Sequence, residues 1–158
     1  MTPPPEYVDF EPSETGVVVE RMNRMVLDGS GWINFEPAVD PEAEIPHQGG
    51  LFGLFSAQGP AVPLCSWVPT TTRSGRTTVS VGVQHPAGPK VVRHLRELGI
   101  TIPDGWIVRQ DHPRRGLVLE LDASEDQQRV LDWLTRVGSL LTAVALTGSW
   151  RASLYRSN

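Results

Sequence analysis

The sequence predicts an α+β domain: an antiparallel sheet with its helices on one face. Three observations carry that expectation. Apolar and polar residues alternate through TTVSVGV (77–83) and GLVLELD (116–122), which sets Val79, Val81, Val83, Leu117, Leu119 and Leu121 on one side of a pleat. Helical spacing marks 89–98 and 124–141, the first burying Val91, Val92, Leu95 and Leu98 and the second Val130, Leu131, Leu134, Val137 and Leu141. The elements of the C-terminal half then run β-α-β-β-α-β over about 77–156, the order of ferredoxin-like folds, whose right-handed crossovers bring both helices to one face.

From the N-terminus, residues 1–13 lack periodicity and hold four prolines, so they are expected to be a disordered or surface-draped tail, followed by one α+β domain over 14–158. Val18, Met22, Met25 and Val26 share a helical face, and Asp28-Gly29 supplies a stop because glycine takes the left-handed position without a Cβ penalty. GWINFEPAV (31–39) reads as a strand, DPEAEIPHQGG (40–50) as a polar loop, and LFGLFSA (51–57) and VPLCSWV (62–68) as short buried strands. TTRSGR (71–76) is a turn. WIVRQ (106–110) and GLVLELD are strands joined by DHPRR. Ser124 and Gln127 form an expected capping box, and SWRASLYR (149–156) closes the sheet with Trp150, Ala152 and Leu154 inward. The bare face of such a sheet would show Thr78, Ser80, Arg109, Glu120, Arg151 and Tyr155. A faint echo links 17–35 with 90–109, both running from paired valines through arginine to Gly-Trp-Ile.

Composition excludes several functions. Residues 1–44 carry ten acids against two arginines, a net of −8, and 45–158 carry eight acids against twelve basic residues, a net of +4. This lacks the strong clustered basicity of a nucleic-acid binder. The most apolar stretch, VGSLLTAVALTG (137–148), is too short to span a bilayer, so no membrane role is expected. The single Cys65 rules out an internal disulfide and suits a reducing, cytoplasmic setting.

Chemistry is sparse. GVQHPAGPKV (82–91) fails as a phosphate loop: five residues separate Gly82 from Gly88, and no Ser or Thr follows Lys90. His85, Asp111 and His112, or Glu42, Glu44 and His47, lack the ligand spacing of a metal site, so no metal or other cofactor is expected. Cys65 lies in an apolar run and reads as a buried, inert thiol. Of the five tryptophans, Trp67, Trp133 and Trp150 belong to segments that bury them, while Trp32 and Trp106 sit at strand starts.

One edge concentrates polar groups. Strands 77–84 and 106–110 should run parallel with one strand between them, so QHPAGPK and QDHPRRG emerge at the same end of the sheet. His85, Lys90, His112, Arg114 and Arg115 would gather there around the N-terminus of helix 89–98, where free amides and the helix dipole favour an anion. Against this stands a plain charged hairpin tip, in which Pro113 sets the turn and Gly116 relaxes it. The sequence therefore points to a non-enzymatic binding or regulatory module for a small anionic ligand or a protein partner. The partner would meet an apolar patch around Phe52, Leu54 and Phe55, and the uncovered sheet face leaves room for a homodimer. The alternative is a small enzyme with His112 or His85 as acid–base and Arg114 and Arg115 as anion donors.

Overall fold

The computed structural model describes residues 3–43 and 59–157. Ten elements follow in chain order: β1 (Glu6–Phe10), α1 (Gly16–Asp28), β2 (Trp32–Val39), β3 (Leu64–Thr71), β4 (Thr77–Gln84), α2 (Val91–Glu97), β5 (Ile107–His112), β6 (Gly116–Asp122), α3 (Gln127–Leu140) and β7 (Leu146–Tyr155). The fold is α+β. Its seven described strands form one antiparallel sheet in the order β1-β7-β2-β3-β4-β6-β5. No described helix is long and apolar enough to cross a membrane.

The alternation seen in the sequence is the alternation of the sheet. Ile33 and Phe35, Cys65 and Trp67, Val79, Val81 and Val83, Leu117, Leu119 and Leu121, and Trp150, Ala152 and Leu154 are all buried on one side. The three described helices cover that side. Gln127 of α3 accepts from the Trp67 indole, Arg21 of α1 pairs with Glu6, which is in register with Leu154, and Asp111, in register with Leu117, bonds to α2. Met22 and Val18 carry α1 into this core, and Gly29 ends the helix at φ 65°, its N–H donating to Met25 O. Thr78, Ser80, Glu120, Arg151 and Tyr155 lie on the other side, which no described helix covers, as the pleat requires, and Arg109, at a register shift in β5, reaches Glu120 there at 2.9 Å.

The ferredoxin-like arrangement needs revision. β4, β6 and β5 are neighbours in the expected order, with β4 and β5 parallel across β6. The last strand, however, does not lie beside β4: β2 and β3 fill that place, and β7 pairs with β1 and β2 instead. Residues 6–10, within the stretch expected to be a tail, form edge strand β1, anchored by buried Phe10 and by Asp9, which accepts from Arg151 at 2.7 Å. The sheet therefore contains two crossovers of one kind: β1-α1-β2 spans β7, and β4-α2-β5 spans β6. These contain the two stretches that echo each other in sequence.

At the start of α3 the expected capping box is not formed. Asp126 is the cap and accepts from Gln128 N at 3.0 Å, while Gln127 is drawn inward by Trp67 Nε1 at 2.9 Å. The expected strand 51–57 and the patch Phe52, Leu54 and Phe55 lie outside the described residues, as do Glu44 and His47.

Candidate functional site

The edge holding His85 and DHPRR is assembled as the topology required, but the protein's own groups satisfy much of it. Asp111 turns toward α2, its Oδ1 accepting from Val91 N at 3.0 Å and its Oδ2 from Val92 N at 3.1 Å. A carboxylate at a helix start answers both the unpaired amides and the dipole. Pro89 has no N–H to offer, and Lys90 enters the helix in the left-handed region at φ 58°. The first amides an external anion would use are thus occupied.

His112 closes the hairpin rather than facing a ligand through Nδ1, which accepts from Arg114 N at 3.1 Å and Arg115 N at 3.0 Å. Gln110 adds bonds to the Arg115 and Gly116 carbonyls at 3.3 and 3.2 Å. His85 is 0 % exposed, with Nδ1 accepting from Ala87 N at 3.1 Å and Nε2 without a partner among the described residues. Burial holds its pKa below the ordinary histidine value; Asp111 opposes that shift and His94 adds to it. The Gly59 backbone packs so closely on His85 that a Cβ at 59 would collide with the His85 carbonyl. The structure therefore takes His85 inside and leaves Lys90, Arg114 and Arg115 at the surface, with Arg115 reaching a groove over Gly82 on the bare face.

A different cluster escaped the sequence. Between α1 and the ends of β1 and β7 lies a cleft of about 420 Å³, lined by Arg21, Arg24 and Arg156, by Glu6 and Asp28, and by the apolar Met25 and Leu154. Arg21 grips Glu6 with both guanidinium nitrogens at 2.8 and 2.9 Å, and Arg156 approaches the same carboxylate at 3.9 Å. Arg24 turns to Glu20 at 2.9 Å. With Glu20 counted, three arginines face three carboxylates, and one of these, Glu6, is shared by two guanidiniums. Arg21 and Arg24, three apart on the polar face of α1, were the one available signal. Glu6 and Arg156 are separated from them by chain ends whose placement only β1–β7 pairing reveals.

Among the described residues no group of His, Cys, Asp and Glu is arranged to hold a metal. Cys65 is buried against the Leu134 carbonyl, and burial pushes its thiol up to about 12, well away from thiolate chemistry. No protein-family model matches the chain, and no curated protein or solved structure matches it significantly.

Proposed function

We propose that the chain is a non-enzymatic, cytoplasmic binding module for a small anionic ligand held in the cleft of Arg21, Arg24 and Arg156. The observation that carries this reading is the sharing of Glu6 by two guanidiniums at a ligand-sized cleft, which leaves Arg156 only loosely engaged there. An incoming carboxylate or phosphate would take the N–H groups of Arg156 left over by a 3.9 Å contact, and Met25 and Leu154 give a small apolar body a floor. The buried Cys65 suits a reducing compartment. Catalysis through His85 or His112 gains no support from their placement, since one ring is sealed from solvent and the other has Nδ1 committed to two amides.

A thermal-shift series with phosphate, sulfate and small carboxylates tests this. A ligand at a hundred times its Kd stabilises by roughly 2.7 kcal/mol, which is about 5–10 °C for a chain of this size. The shift is expected in wild type, lost in Arg156→Gln and enlarged in Glu6→Gln, which removes the internal competitor. It should survive in Arg114→Ala/Arg115→Ala. A shift lost in that double variant but kept in Arg156→Gln would return the site to the DHPRR edge, and no shift with any anion would end the ligand reading.

A further inference from the structure

We infer that the sheet face that no described helix covers packs against the same face of a second copy of this chain, about a two-fold axis running along β3. The arginine cleft opens on the helix side and shares Tyr155 with this face.

The register orders the face into rows. One row crosses all seven strands: Tyr7, Ser153, Asn34, Ser66, Gly82, Val118, Gln110. The next begins with Tyr155 and Trp32, whose rings stack in parallel at 4.8 Å, and continues on the far side through Val68, Ser80, Glu120 and Ile107. The face is therefore bulky on β7 and β2 and small on β4. Over β4 it dips into a groove of about 170 Å³ lined by Leu64, Ser66, Gly82, Gln84, Val118 and Arg115. A side chain at 82 would fill that dip, since a Cβ there would stand 2.6 Å from Ser66 Oγ.

β3 is the middle strand of seven. A two-fold along it lays β2 over β4, β7 over β6 and β1 over β5, and keeps each row level. Trp32 then meets Ser80 and Gly82 of the partner subunit, large against small, and Val68 meets Val68 of the partner subunit at the axis. Charge selects the same axis. On the β1, β7 and β2 side stand Asp9, Arg151 and Glu36, with Asp9 and Arg151 paired at 2.7 Å, so that Glu36 remains over. On the β6 and β5 side stand Arg109, Glu120 and Arg115, with the first two paired at 2.9 Å, so that Arg115 remains over. The along-strand axis brings Glu36 toward Arg115 of the partner subunit, twice by symmetry, whereas a two-fold across the strands would oppose like to like.

The size is right. Six strand gaps of about 4.8 Å and strands of five to ten residues, on average about 24 Å long, give roughly 700 Å² of face per subunit, close to the roughly 800 Å² per partner of a standard interface. Twisted sheets pack in this aligned way in sandwiches.

Sedimentation velocity on the full chain across a concentration series tests the proposal, with a mass rising toward twice 17.4 kDa as the expected result. Val68→Lys, at a half-buried position on the bare face, should stay monomeric while keeping the wild-type circular dichroism spectrum. Glu36→Arg and Arg115→Glu should each raise the dimer dissociation constant about ten-fold or more, and Glu36→Arg/Arg115→Glu together should restore it. A chain monomeric at every concentration overturns the proposal. So does a dimer indifferent to Val68→Lys and Glu36→Arg, which must use another surface, or one that the double exchange fails to restore.

Discussion

The two crossovers of the sheet are built alike and end differently. In β4-α2-β5 the chain sends Asp111 back onto the helix start, and two carboxylate oxygens meet two amides. In β1-α1-β2 the helix is longer, 13 residues against 7, and the carboxylate that β1 places on the helix side, Glu6, is shared between Arg21 and Arg156. The α2 crossover gathers cations in sequence yet is largely self-satisfied in space. The α1 crossover draws no notice in sequence yet leaves one guanidinium, that of Arg156, held at 3.9 Å by a carboxylate it shares. Clustering of charged residue types therefore says little about a site until the protein's own counter-charges have been subtracted.

The sharpest way to break this comparison is to delete the internal partner at each end. Asp111→Ala strips the charge-assisted bonds from Val91 N and Val92 N in a part-buried position, for a cost of about 2 kcal/mol and a fall in Tm of about 4–8 °C. Asp111→Asn, which keeps one acceptor oxygen, should recover part of it. Glu6→Gln loosens a pair whose side chains are 31 % and 41 % exposed, so solvent screening holds its cost below about 1 kcal/mol. Calorimetric melts that rank Glu6→Gln above Asp111→Ala would show that the closed edge is not the stabilised one.

How far the sequence revealed these regions depends on the range of the forces involved. Period-two alternation reported Val79–Val83 and Leu117–Leu121 correctly because each strand carries its own pattern, and Asp28-Gly29 stopped α1 through backbone geometry alone. The position of β7 between β1 and β2 is settled by pairing more than a hundred residues away in sequence, Phe35 to Ala152 for example, and no local pattern encodes it. β1 was hidden because its five residues follow three prolines and only Phe10 is fully buried. The DHPRR edge was legible as a place but not as a state. Its histidines and arginines drew attention, whereas Asp111, whose bonds decide what the edge can bind, stood out only beside His85 and His112 in a set that lacks metal spacing.

Titration sharpens the contrast. His85 is uncharged in the fold because burial disfavours the ion, and its Nδ1 accepts a bond that protonation would turn into a donor facing the Ala87 N–H. Its folded pKa lies below the unfolded value of 6.5, so the native state binds fewer protons than the unfolded chain below that pH. The stabilisation is present above pH 6.5 and is lost as pH falls through 6.5 toward the folded pKa. Asp9 and Asp122, whose pKa values are lowered by Arg151 and by Ser124 respectively, act only in a more acid window, below the ordinary aspartate value of 3.8. Melting temperature should therefore decline between pH 7.5 and 5.5 in wild type. His85→Asn, which can place an acceptor where Nδ1 stood, should flatten that slope whatever its effect on absolute stability. An unchanged slope in the variant would assign the pH response elsewhere.

The smallest expected effect is also the most direct test of the turn. Arg114 and Arg115 are exposed, and it is their backbone N–H groups that bond to His112 Nδ1. Replacing Arg115 with alanine keeps its amide and removes an exposed guanidinium, so stability should stay within about 0.5 kcal/mol of wild type. His112→Ala removes the acceptor of both bonds while leaving the two arginines in place, and it should cost more than Arg115→Ala. That inversion, one ring outweighing a full charge, is what a hairpin held by its backbone requires. If Arg115→Ala proved the more costly, its side chain would be holding structure or a bound counter-ion at this edge, and the division between a closed edge and an open cleft would have to be redrawn.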